Sequence, residues 1–128
     1  MNRLTQQRAD LARLLDRWQE ALDAWSSNGT DRDRDSAVLR FELCFELMWK
    51  HLQAMVRQEG LDSAGPRQAF VNAHRMGWIE DEVVWDEIIR ARNTAVHIYH
   101  EELAEALARK LPRFKSAFAK LRETLPRL

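Results

Sequence analysis

Three side chains that can perform acid–base and phosphate chemistry lie close together in the run 92–99. They are Arg92, His97 and Tyr99, in the spacing R-x4-H-x-Y. An arginine stays cationic and can stabilise negative charge on phosphoryl oxygens. A histidine titrates near neutral pH and can take or return a proton, and a tyrosine can orient a phosphate, stack on a base or accept a modifying group. The trio is therefore suited to cleavage of a phosphodiester bond without a metal ion.

The spacing of this trio sets a geometric condition. Arg92 follows Trp85 and Ile89 in phase with an apolar helical stripe, so it could also be a structural arginine bridged to a carboxylate on a neighbouring helix. His97 could equally interact with the last carbonyls of its helix. Five residues on an ideal helix span a rotation of roughly 140°. Arg92 and His97 therefore converge only if the helix ends or distorts near 95–97, or if two copies meet across a dimer axis.

A second group of charged residues, Glu42, Glu46 and Lys50, recurs at every fourth position. This pattern is compatible with a solvated helix face that carries a Glu46–Lys50 pair. It is also compatible with Glu42 or Glu46 acting as the acidic partner of Arg92. The four histidines show no i, i+4 pairing of metal ligands, so we predict neither a metal site nor a cofactor.

Apolar residues recur at spacings of three, four or seven through most of the chain, which is typical of amphipathic helices. The predicted helices run from Leu4 to Trp25, from Thr30 or Asp31 to about Glu59, from Gly65-Pro66 to Gly77, from about Asp81 through Val96, and from about Glu101 to Leu125. The last keeps its phase across Pro112, which predicts one kinked helix. We predict one all-α domain over 1–128, an up-and-down antiparallel four-helix bundle with one additional short helix.

The second predicted helix has an apolar surface wider than one stripe. Leu39, Leu43 and Leu47 lie beside the main series, which includes Phe41 and Phe45. Such a helix is either central in the bundle or also faces a partner subunit.

Composition narrows the class of protein. The 20 basic and 20 acidic residues give a formal charge of zero, which argues against a domain that coats nucleic acid by net charge alone. The single Cys44 excludes an internal disulfide and fits a buried, inert thiol. No apolar run approaches the ~20 residues of a membrane span, and the first residues are polar. We expect a cytoplasmic protein that does not associate with a membrane.

Four blocks in order carry a resemblance to a known family. The motif around Arg92, Asn93, His97 and Tyr99 resembles the R-x4-H-x-Y signature of the HEPN superfamily. The block 40–50 (RFELCFELMWK) resembles the helix RFEF-x-EL-x-WK of the nucleotidyltransferase substrate-binding protein family, which is related to HepT toxins. Segments 63–67 and 84–85 resemble that family's short-helix start and motif helix. The resemblance covers nearly the whole chain.

The resemblance implies a homodimer whose two motifs lie near a shared cleft. It implies a minimal nucleotidyltransferase as partner, with ATP as the substrate of that partner, and RNA as a further ligand. Carried over to this chain, Arg92 and His97 would be catalytic, Tyr99 the adenylylated residue, and Asn93 the polar residue that often follows the arginine. Val96 and Ile98 occupy places where relatives often carry serine or threonine.

The leading hypothesis is therefore a HepT-like toxin component, a metal-independent endoribonuclease regulated by adenylylation at Tyr99. Two alternatives stay open. The first is a non-catalytic subunit that binds the nucleotidyltransferase. The second is a helical dimerisation module in which Arg92 is held in an internal salt bridge.

Overall fold

A computed structural model describes residues 2–128, and these form five α-helices without any strand. The helices are α1 (Arg3–Asn28), α2 (Asp31–Gln58), α3 (Pro66–Arg75), α4 (Glu82–Ala95) and α5 (Glu101–Thr124). The all-α prediction is confirmed, with α3 as the short helix of 10 residues. None of the five is long and apolar enough to cross a lipid bilayer.

Side-chain caps mark the start of three helices. Asn2, Thr30 and Asp81 each accept a hydrogen bond from the backbone N–H three residues further on, at 2.9–3.1 Å. Each cap satisfies a backbone donor that has no partner within its helix. The starts predicted near Thr30 and Asp81 are therefore confirmed. Gly29 ends α1 with φ of 65°, a left-handed conformation that glycine adopts at little cost.

The core is built around α2, which packs against all four other helices. The ring of Phe41 lies 5.7 Å from that of Trp18 on α1 and 6.4 Å from that of Phe118 on α5, measured between centroids. Burial of such rings is the main stabilising contribution to the fold. The same helix leaves Leu39 and Leu43 exposed. It is thus central in the fold and also presents an apolar surface to the outside.

The helix α5 is continuous through Pro112, as predicted, and the Ser116 hydroxyl donates a 3.2 Å hydrogen bond to the Pro112 carbonyl. The apolar spacing along this helix predicts Leu103 as part of the buried stripe, but Leu103 lies outside that stripe and is 40% exposed. The buried face follows Ala104 and Leu107 instead. Leu103 precedes Ala104 by one residue and so lies about 100° away around the helix.

The helix α4 ends at Ala95, so the condition that it end or distort near 95–97 is met. The apolar spacing of the helix predicted over 81–96 includes Val96 in its buried stripe, but Val96 instead caps α4 and is 66% exposed. Four residues, 97–100, separate the cap from the start of α5.

Candidate functional site

The segment 96–100 is a tight turn between α4 and α5. The His97 N–H donates to the Thr94 carbonyl at 2.9 Å, and the His100 N–H donates to the His97 carbonyl at 3.0 Å. Glu101 and Glu102 then open α5, where their negative charge is favourable next to the free N–H groups of a helix start. The turn holds the two titratable side chains of the sequence motif outside the helices.

Tyr99 and His97 lie together on the exposed side of this turn. The Tyr99 side chain is 72% exposed, and its hydroxyl oxygen lies 3.4 Å from Nδ1 of His97. Which of the two atoms donates depends on the tautomer of the imidazole. The Tyr99 ring also packs on the ring of His100, with centroids 4.5 Å apart. The phenol is thus accessible from solvent and next to a base.

Arg92 is anchored to α2 by two contacts. Its Nη2 atom donates to Oε1 of Glu46 at 2.6 Å, and its guanidinium carbon lies 5.4 Å from the centre of the Phe45 ring. Of the two carboxylates considered from sequence, Glu46 is therefore the partner. The Arg92 side chain remains 40% exposed, so the single chain does not seal it from solvent.

Arg92 lines a groove of about 450 Å³ together with Glu42, Glu46, Asn93 and Val96. Partial burial raises the pKa of Glu42, against a lowering by the charge of Arg92. His97 is not among the residues that line this groove. The single chain therefore brings Arg92 and Asn93 together with Glu42 and Glu46. Separately, it brings His97 together with Tyr99.

Lys50 interacts with Glu46 only weakly, although the i, i+4 spacing of the two residues is compatible with an ion pair. Its Nζ lies 4.0 Å from Glu46, at the limit of an ion pair, and its side chain is 53% exposed. Glu46 also accepts a hydrogen bond from the indole N–H of Trp49 at 3.1 Å. Glu46 is therefore the point where Arg92, Trp49 and Lys50 meet.

Near the turn lies a buried arginine that was not predicted from the sequence. Arg34 on α2 is only 1% exposed, yet it forms ion pairs with Glu101 at 2.8 Å and Glu105 at 3.1 Å on α5. It stands in a run of alternating arginines and aspartates that looks like a solvated helix start. The only local signal was the surplus of acidic residues at the start of α5.

Outside the groove and the turn, little in the described residues supports a metal or phosphate site. Among residues 2–128, no three His, Cys, Asp or Glu side chains gather as a metal site would require. The basic stretch on α5 is partly neutralised, because Arg113 and Lys110 pair with Glu87, and Lys120 pairs with Glu80. The groove at Arg92 and the turn that follows it therefore form the candidate site.

Comparison with known proteins places this fold and motif in a family. The sequence model of the family described as "Nucleotidyltransferase substrate binding protein like" matches residues 3–127. The chain therefore belongs to the nucleotidyltransferase substrate-binding protein family, as the sequence resemblance predicted. A search of curated proteins found no match.

A solved structure shares the fold. The crystal structure of ttk003001694 from Thermus thermophilus superposes with a TM-score of 0.72 and is 32% identical in sequence. The match covers 86% of this chain and 99% of the other. The arrangement of helices is thus found in an experimentally determined relative of nearly the same extent.

Proposed function

We propose that this chain is the HEPN-type subunit of a two-protein, toxin–antitoxin type system, in which a minimal nucleotidyltransferase adenylylates Tyr99. The observation that carries this proposal is the position of the phenol, 72% exposed on a turn with the imidazole of His97 beside it. Membership of the nucleotidyltransferase substrate-binding family supports the identity of the partner.

The transfer needs an accessible phenol and a base. The Tyr99 oxygen attacks the α-phosphorus of ATP, an O–P bond forms, and the bond from that phosphorus to the bridging oxygen breaks, which releases pyrophosphate. The phenolic proton passes to a base, and Nδ1 of His97 at 3.4 Å is the base that this chain offers. The product carries the adenylyl group on the outer side of the turn.

Mass spectrometry tests the acceptor. The protein is incubated with ATP and a minimal nucleotidyltransferase, whose activity is followed by pyrophosphate release. We expect one adenylyl group on the peptide that contains Tyr99, and none on Tyr99→Phe. An active nucleotidyltransferase that leaves Tyr99 unmodified, or that modifies another residue, would contradict the proposal.

A second function, metal-independent RNA cleavage, is favoured by the groove that Arg92 and Asn93 line. Because His97 lies outside this groove in one protomer, we propose that cleavage uses two copies of the four-helix bundle whose motifs face one another. His97 would take the proton from a 2′-hydroxyl, whose oxygen attacks the adjacent phosphorus. The bond to the 5′-oxygen breaks and that oxygen is reprotonated, while Arg92 stabilises the phosphoryl oxygens.

Parallel assays test the cleavage. The wild-type protein, Arg92→Ala and His97→Ala are incubated with RNA in the presence of a chelator, and each is expressed alone in a bacterial host. We expect cyclic phosphate ends and growth arrest for the wild type only. If all three are equally harmless and none cleaves RNA, the nuclease proposal fails. If Tyr99 is also unmodified, plain binding of the nucleotidyltransferase and the helical dimerisation module both remain.

A further inference from the structure

Arg34 is the most deeply buried charged side chain among residues 2–128. Its side chain is 1% exposed, and its guanidinium contacts four carboxylates. Two of them, Asp31 and Asp35, belong to the same turn of α2 and lie at 3.4 and 3.0 Å. The other two, Glu101 and Glu105, lie on α5 at 2.8 and 3.1 Å. A buried guanidinium left without any such partner would be strongly destabilising, whereas the loss of one charge still leaves three carboxylates around Arg34.

The contacts to α5 fall at the end of the turn 96–100. Glu101 is the first residue of α5 and directly follows His100. The hydrogen bond between Arg34 and Glu101 is the largest cause of a pKa shift in each residue. It raises the pKa of Arg34 and lowers the pKa of Glu101. Both groups are therefore charged at neutral pH. Asp31 and Asp35 cannot perform this role, because a contact within α2 ties no other element.

The other end of the turn is held to the same helix. Arg92, in the last turn of α4, pairs with Glu46 of α2 at 2.6 Å. The two flanks of the turn are therefore each tied to α2 by an ion pair, one through Arg92 and one through Arg34. Between these ties, His97 and Tyr99 are exposed, and Tyr99 contacts both His97 and His100.

We propose that Arg34 is the positioning residue of the turn 96–100, and that its ion pairs with Glu101 and Glu105 fix where His97 and Tyr99 are presented. The chemical role of His97 and Tyr99 on this turn rests on the proposed function. The restraint of the turn by Arg34 does not rest on it. The proposal predicts that weakening the Arg34–Glu101 pair loosens the turn while the rest of the fold keeps its stability.

Amide hydrogen exchange by NMR tests the constraint directly. The N–H groups of His97 and His100 are both hydrogen bonded within the turn, so their exchange reports its opening. Glu101→Gln removes one of the two charges on α5 that Arg34 contacts. Glu102→Gln is the matched control, since Glu102 is also exposed in the first turn of α5 but forms no ion pair or hydrogen bond through its side chain among residues 2–128.

We expect Glu101→Gln to speed exchange at His97 and His100 by about twofold to fivefold, the range that a partly exposed ion pair supports. Glu102→Gln should leave these rates unchanged, and the two variants should melt at the same temperature. Equal rates in both variants would overturn the proposal. So would faster exchange spread evenly over α1 and α2, which would show a general loss of stability. Arg34→Lys, which keeps the charge but cannot bridge two carboxylates in the same way, should act in the same direction as Glu101→Gln.

Adenylylation of Tyr99 gives a second readout. Slower modification of Glu101→Gln than of Glu102→Gln would link the constraint to function. If Tyr99 is never modified, the exchange measurement still decides the positioning role, so failure of the proposed function and failure of this inference are distinguishable.

Discussion

At the scale of single residues, Arg92 shows how a charge can lie on an apolar stripe. Its guanidinium packs against the Phe45 ring while one nitrogen reaches the carboxylate of Glu46. In the sequence, Arg92 lies in phase with residues predicted to be buried. Two glutamates, Glu42 and Glu46, were candidates for its acidic partner. Glu42 and Glu46 lie one helical turn apart, so periodicity alone could not choose between them. Only the packing of α4 on α2 does so.

The strength of this anchor can be measured with a double-mutant cycle of Glu46→Gln and Arg92→Gln. Because both side chains are more than a third exposed, we expect a coupling of about 0.2–1 kcal/mol in urea unfolding. The pair of Arg113 with Glu87, which joins α5 to α4, is the control. A coupling of several kcal/mol would show that the groove is far less hydrated than its exposure indicates.

His51 is a buried histidine that the structure keeps neutral. It is fully buried, its Nε2 accepts from Nε of Arg8 at 2.9 Å, and its Nδ1 lies 2.9 Å from the amide oxygen of Gln7. Desolvation, with a smaller effect from Arg8, lowers the pKa of His51 to about 4. A proton on Nε2 would face the guanidinium of Arg8 directly.

The burial of a neutral His51 predicts that the free energy of unfolding decreases as the pH is lowered. The pKa of His51 is about 6.5 in the unfolded chain and about 4 in the folded protein. Between these values the unfolded state binds more protons, so the free energy of unfolding decreases as pH falls from 6.5 towards 4. His51→Gln should lose this part of the pH dependence. Parallel denaturant titrations of both proteins between pH 7 and 4 measure it, and identical slopes would contradict the assignment.

At the scale of the helices, the sequence predicted most boundaries because their signals are local. Thr30 and Asp81 cap helices, and Gly29 adopts a left-handed conformation. The end of α4 at Ala95 has no glycine or proline to mark it, and only the geometric condition on Arg92 and His97 pointed to it. Arg34 could not be predicted as buried, because Arg32 two residues earlier has the same type and surroundings in sequence but is exposed.

Pro112 offers a test of the continuous helix α5. Proline has no N–H to donate within the helix and crowds the preceding turn. Because Pro112 is exposed, its replacement leaves the core intact. We therefore expect Pro112→Ala to raise the free energy of unfolding by about 1–3 kcal/mol. Urea unfolding with Ser116→Ala as the comparison measures this, and a loss of stability would show that Pro112 is required for the packing of α5.

At the scale of the whole molecule, the exposed apolar side chains are concentrated near the candidate site. Leu39 and Leu43 belong to the helix that supplies Glu42 and Glu46, and Val96 lines the groove with them. Tyr99 and Leu103 follow in the adjoining turn and in α5. The distribution fits the proposed homodimer, in which both motifs lie near the shared surface.

Substitution on this surface should separate association from folding. We expect Leu39→Glu with Leu43→Glu to weaken self-association by about tenfold or more, since a charge would enter the centre of the interface. The free energy of unfolding should change by no more than about 0.5 kcal/mol. Val71→Glu on α3, equally exposed but away from the site, is the control for sedimentation equilibrium. Equal association of all three proteins would place the dimer surface elsewhere.

The contact of Arg34 with Glu101 spans 67 residues of sequence. Contacts of such long range form only after much of the chain has collapsed. During synthesis, the residues of α5 leave the ribosome after those of the turn that they help to fix. A nascent chain can therefore display the motif as a sequence while the geometry of the turn is still absent. Any activity that depends on that geometry would begin only once the start of α5 has docked on α2.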